Sequence, residues 1–140
     1  MKRILAAALA ATALMTAGEC AMAEDIAMTI GKSVYTVTLL QNDAAKDFAS
    51  KLPMTLAFED YASTERIAYP KEKLSLGSAP REATPVRGDF AYYAPWGNLC
   101  AFVRPFRASS GLVPLGHMDE AAIAALQASG NTPVTFSRKR

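Results

Sequence analysis

The sequence predicts a mainly β fold, a small closed β-barrel of about eight short strands with two short helices over its ends. Three observations predict it. Short alternating or β-branched runs recur along the chain, broken by Gly, Pro, Asn and Asp turns. Only two stretches carry helical spacing, and both are short. Strands do not alternate regularly with long helices, which disfavours a parallel layered α/β fold and favours a sheet that closes on itself.

The elements follow in order. Ile26 to Ile30 and Ser33 to Leu40 form a hairpin around Gly31-Lys32, with Val34, Thr36 and Thr38 on one face and Tyr35, Val37 and Leu39 on the other. Asn42 caps a helix, because its side-chain oxygen accepts from a free first-turn N–H. Ala44, Ala45, Phe48 and Leu52 recur at helical spacing, and Pro53 stops the helix. Met54 to Phe58 is a strand, Glu59-Asp60 leads into a turn near Ser63-Thr64, and Arg66 to Pro70 is a short strand. Lys71 to Gly88 carries prolines, glycines and mixed charge, and reads as a long surface loop with one short strand, of a length that tends to be mobile or functional. Phe90 to Tyr93 and Leu99 to Arg104 pair across a Pro95-Trp96-Gly97-Asn98 turn, since proline presets φ while glycine and asparagine tolerate positive φ. Arg107 to Gly111 is a second loop, followed by a strand within Leu112 to Met118. Asp119 caps a helix at Glu120 to Gln127, and Val134 to Phe136 is the last strand.

The first residues carry an address. Met1-Lys2-Arg3 is basic, Ile4 to Ala17 is apolar, and Ala21-Met22-Ala23 fits a small-x-small cleavage site. That is the three-part signature of a secretory signal peptide. Residues 1–23 are therefore expected to be removed, leaving 24–140 as one exported domain, periplasmic or secreted, with no membrane segment in the mature form. The chain has 15 basic and 13 acidic residues; removing Lys2, Arg3 and Glu19 leaves 13 and 12. A balance so near neutral offers no basic face and gives no support for nucleic-acid binding. The terminal Arg138-Lys139-Arg140 reads as a frayed, solvated end. Cys20 leaves with the signal, so Cys100 stands alone and reads as a small buried apolar residue within its strand.

Four stretches resemble the bacterial cyclophilin-like domain family: "NDAAKDFASKLPMTLAFEDYASTERIAYP", "GDFAYYAPWGNLCAFVRPF", "SSGLVPLGHM" and the strand-helix-strand ending. The resemblance runs from about Met28 to Phe136. It implies an eight-stranded cyclophilin-like barrel with two helices and implies no proven activity. The Phe-His-Arg and Gln-Gly-Gly-Asp patterns of prolyl isomerases are missing, so no catalytic residue is carried over.

The chemistry of the residues narrows what remains. His117 is the only histidine, and no His/Cys set has metal-ligand spacing, so no metal and no cofactor is expected. No Gly-x-Ser-x-Gly, phosphate loop or dinucleotide fingerprint occurs. Glu59, Asp60 and Glu65 read as carboxylates of a solvated loop. The candidate ligand-binding set is Tyr61, Tyr69, Tyr93, Trp96, Asn98, Phe102 and Arg104. Alternation leaves two assignments open: Leu99, Ala101 and Val103 fill the barrel while Cys100, Phe102 and Arg104 face away, or the reverse. Trp96 is hard to bury within its own hairpin, which leaves it for a ligand or for packing beneath the Lys71–Gly88 loop. The expected function is binding of a small molecule or peptide segment in an aromatic-lined groove, without catalysis. The alternatives are a divergent peptidyl-prolyl isomerase using Arg104 or Arg66, and a protein-interaction module using the Trp96 hairpin tip.

Overall fold

The computed structural model describes residues 22–139. The signal segment read from the sequence lies outside the described residues, except for the backbone of its last two, Met22 and Ala23. Eleven strands and two helices run in the order β1 (Met22–Ile30), β2 (Ser33–Leu40), α1 (Asp43–Ser50), β3 (Met54–Leu56), β4 (Glu59–Tyr61), β5 (Glu65–Ala68), β6 (Glu82–Ala83), β7 (Asp89–Tyr93), β8 (Asn98–Phe102), β9 (Ser109–Ser110), β10 (Leu112–Met118), α2 (Glu120–Ala128) and β11 (Val134–Arg138). Nine of the strands build one antiparallel sheet in the order β3-β11-β1-β2-β10-β7-β8-β5-β4, while β6 and β9 pair separately.

The sheet is strongly curled but not closed, which corrects the expected closed barrel. Its end strands, β3 and β4, are three residues each and joined only through Ala57 and Phe58. That link spans about 10 Å at most, so the two ends of the sheet meet at a corner without a ladder between them. The corner is sealed by side chains instead. Phe58 is buried, and its carbonyl accepts from Arg66 Nη2 at 3.4 Å.

Both helices cover the inner face. Ala44, Ala45, Phe48 and Ala49 of α1 and Ala122, Ile123 and Leu126 of α2 join strand residues such as Val37, Leu99, Ala101 and Phe136 in one core. Asn42 caps α1 as its sequence requires, accepting from Ala45 N at 2.9 Å. Its amide also donates to the carbonyl of Pro114 at 2.9 Å, which ties the helix start to β10. Pro114 fits inside β10 because the register shifts there, between Pro114 and Gly116. Gly116 fits because a Cβ at that position would collide with the Thr38 carbonyl oxygen of β2.

Four further expectations are corrected. Glu59 and Asp60 belong to β4; the turn lies at Ala62 and Ser63, both at positive φ (52° and 56°). Asn98 opens β8, and that strand ends at Phe102, before Arg104. The Lys71–Gly88 loop is pinned down. Ser78 donates to Asp43 through both its amide and its hydroxyl, each at 2.8 Å, Ser75 N donates to Asp47 at 2.7 Å, and Leu74 and Ala79 are buried. The Ser78 bonds hold the Asp43 carboxyl below its usual range. Finally, Arg138 is not frayed: it lies in β11 and pairs with Glu24 at 3.2 Å, and Lys139 donates to Thr36.

Candidate functional site: an aromatic groove on the outer face

Register places two chemistries back to back on the central strands. In β8, Leu99 and Ala101 enter the inner core, and Val103 continues it, while Cys100 and Phe102 point to the other face. There they meet Ile67 of β5, Ala91 of β7 and Leu112 of β10, with Tyr93, Ala83 and Phe106 packed against them. This is the first of the two alternatives left open by the sequence. The second cluster stays dry because the loops cover it. Glu82 and Ala83 pair with Ser110 and Ser109, and Phe106 N donates to Pro85 O at 3.0 Å. Those bonds fold the 106–110 segment over the outer face. Full burial of a phenylalanine such as Phe102 contributes about 1.5–3 kcal/mol.

Beside this cover a groove of about 410 Å³ remains open. Cys100 and Phe102 of β8, Tyr93 of β7 and Glu65 of β5 lie along it. The β4–β5 turn and the hairpin tip supply Tyr61 and Trp96. The Trp96 ring stands edge-on to both tyrosines, with centroids 5.4 Å from Tyr61 and 5.5 Å from Tyr93. Trp96 is nevertheless 50% exposed. The 106–110 segment supplies Arg107, whose guanidinium carbon sits 4.5 Å from the centroid of the Phe106 ring.

Of the residues singled out from the sequence, the groove gathers Tyr61, Tyr93, Trp96 and Phe102. Tyr69 is exposed away from it, and Arg104 is exposed beyond the end of β8. Asn98 is buried beneath, donating to Cys100 Sγ at 3.3 Å and to the carbonyl of Leu99 at 3.2 Å, with its own oxygen unpartnered among the described residues. Arg66 faces inward, where it is engaged by the end of α2, the Phe58 carbonyl and Asp60. Glu65, Phe106 and Arg107 belong to the groove and were not singled out. Glu65 was grouped with solvated carboxylates, and Phe106-Arg107 lies in a loop without periodicity. The two-residue β6–β9 pairing and the backbone bonds beside it, Phe106 N to Pro85 O and Gly111 N to Arg81 O, bring that loop here.

The electrostatics of the floor exclude a reactive thiol. Burial pushes the Cys100 thiol far up, and the adjacent Glu65 carboxylate pushes it further. A nucleophilic cysteine needs the opposite surroundings. Glu65 is itself raised, chiefly by burial, with the Cys100 hydrogen bond acting against the shift. A carboxyl raised on folding favours the folded state at low pH. That contribution is fully present below the unfolded pKa and is lost as pH rises through the raised value. Glu65→Gln is therefore expected to raise the melting temperature at pH 7, with the gain vanishing near pH 4; a gain equal at both pH values would contradict the assignment.

His117 and Asp89 pair at 2.9 Å beside a shallower hollow on β7 and β10. Among the described residues no serine or cysteine borders that hollow to serve as a nucleophile. Among the described residues no helix is long and apolar enough to cross a membrane.

Comparison with known proteins agrees with this architecture. The model of the cyclophilin-like family matches residues 28–137. The chain is similar in fold to the solution structure of a hypothetical protein from Archaeoglobus fulgidus, with a TM-score of 0.61 at 14% identity, covering 89% of this chain and all of the other. No curated protein matches. With the family model covering nearly the whole described chain, and with a curled antiparallel sheet packed on two helices, this protein belongs to the cyclophilin-like family.

Proposed function

We propose that this protein is an exported binding protein that holds a small molecule or peptide segment in its outer-face groove, without catalysis. One observation carries the reading. Trp96, Tyr61 and Tyr93 stand edge to face along an open groove, and Trp96 keeps half its surface exposed. A large aromatic side chain held by its neighbours and left half bare at a concave site is how proteins anchor ligands at low entropic cost. The groove also falls in the size range of small-molecule sites, which begins at about 300 Å³. Export rests on the three-part N-terminal signature.

The binding reading is favoured over isomerisation because the two arginines weighed for that chemistry lie elsewhere. Arg66 spends its donors on backbone carbonyls, Ser129 Oγ and Asp60, and Arg104 lies outside the groove. Neither is placed to polarise a prolyl carbonyl bound there. The hairpin tip is not a free-standing interaction knob, because Trp96 leans on Tyr61 of a different hairpin.

Trp96 is the only tryptophan, so its emission reports on the groove alone. Small aromatic compounds and a proline-containing tetrapeptide are the panel to titrate, followed by Trp96 fluorescence and by backbone amide shifts. At least one is expected to move the amides of Glu65, Cys100, Arg107 and Ser109 together. Trp96→Ala is expected to weaken that binding about tenfold, the scale of an aromatic anchor. Shifts scattered away from these residues, or binding indifferent to Trp96→Ala, would count against the groove. A prolyl-peptide isomerisation assay is expected to show no acceleration; a clear one would restore the enzyme reading.

A further inference from the structure

We infer that the groove is built for a small planar acid, an aromatic or conjugated ring carrying a single carboxylate, with the ring against Trp96 and Tyr93 and the carboxylate on Arg107. This rests on the groove-binding reading and adds the ligand's chemical class.

Three observations point there. First, Arg107 forms no ion pair and no side-chain hydrogen bond among the described residues, although it lines the groove. Its guanidinium carbon lies over the Phe106 ring at 4.5 Å. A cation–π contact uses none of the N–H donors, whose fork matches a carboxylate's two oxygens. Second, the donors still free at the groove are those of Arg107 and Trp96. Ser109 Oγ already donates to the carbonyl of Arg107 at 2.9 Å, and Thr64 Oγ1 to that of Ala62 at 3.1 Å. The Arg107 N–H groups and the Trp96 indole N–H have no acceptor among the described residues, so an acceptor on the ligand would complete them.

Third, the charge count limits the anion. Among the described residues Arg107 is the single cation lining the groove, and Glu65 the single carboxyl. One guanidinium fork matches one carboxylate, and no second cation is there to offset the further charge of a phosphate or a diacid. The aromatic rim suits a flat apolar body, and a volume of about 410 Å³ suits a free small acid rather than a long chain.

The test compares trans-cinnamate with its uncharged isostere trans-cinnamamide, titrated into the wild-type chain and into Arg107→Met, with amide and Trp96 indole shifts as the readout. Arg107 is exposed, so the variant keeps the fold. The wild type is expected to bind the acid about three- to fivefold more tightly at low salt, the scale of an exposed charge pair. In Arg107→Met that preference should disappear, with binding of the acid falling by more than binding of the amide. Equal binding of acid and amide by the wild type, or a preference that survives in Arg107→Met, would overturn the assignment of the acid and leave the groove reading standing. If neither compound moves the groove amides, the planar acid is ruled out, and the tetrapeptide titration separately decides whether the groove binds at all.

Discussion

Replacing Arg66 with methionine is expected to destabilise the fold by about 1–3 kcal/mol, the cost of leaving a buried acceptor without its donor. Arg66 is 3% exposed and reaches from β5 to the end of α2. It donates to the carbonyl of Leu126 at 3.2 Å, to Ser129 Oγ at 3.1 Å and to the carbonyl of Gly130. The last carbonyls of a helix have no partner within it and carry the negative end of its dipole. α2 has no basic residue in its own last turn. A strand distant in sequence therefore supplies the capping cation. Nη1 also meets Asp60 at 3.0 Å, but that carboxylate is 79% exposed and contributes little by itself. Methionine would fill the space but leave the Phe58 carbonyl without its donor in the interior and the end of α2 without its capping cation, although the Leu126 carbonyl still accepts from Ser129. Lysine should recover only part of the loss, because a point charge cannot reproduce the guanidinium fork. Urea unfolding of the three proteins measures this; a loss below about 1 kcal/mol for Arg66→Met would place the stability of that corner elsewhere.

Phe136→Ala is expected to cost more, about 3–5 kcal/mol, through a different mechanism. Phe136 is fully buried on β11, and its ring centroid lies 5.5 Å from Phe90, 5.6 Å from Phe48 and 6.1 Å from Phe58. Those rings come from β7, α1 and the β3–β4 corner. Truncation empties the point where helix and sheet ends converge, and the rings around it sit on elements that cannot all collapse inward. The midpoint of urea unfolding should fall with its slope unchanged. Because Phe136 lies on the inner face and the groove on the outer one, amide shifts of Glu65, Cys100 and Arg107 should stay in place in the folded variant. Movement of the groove signals would mean that the two faces of the sheet are coupled.

Much of the architecture was legible because local chemistry decides it. Asn42 and Asp119 cap their helices through bonds three residues away, which their side chains can make whatever the rest of the chain does. Alternation in β2 buries Val37 and Leu39, as period two requires. What failed depended on distant partners. Glu59 and Asp60 look like turn residues, yet they form a strand because Arg66 and Ile67 of β5 pair with them. Arg138 looks frayed until β1 brings Glu24 beside it. The groove divides in the same way. The aromatics Tyr61, Tyr93, Trp96 and Phe102 stood out by type, while Glu65 and Arg107 are ordinary charged residues until the sheet and the β6–β9 pair set them around one space.

By itself the sequence determined the class of fold, the helix caps, the central hairpin and the aromatic character of the candidate site. Each follows from residue type and short-range spacing. Only the tertiary structure decided that the sheet stays open at its corner, that Arg66 seals that corner, and which charges share the groove. Those outcomes depend on register and on contacts between residues distant in the chain. A one-residue slip of β8 would exchange Cys100 and Phe102 for Leu99 and Ala101 on the groove face, and nothing within β8 alone distinguishes the two.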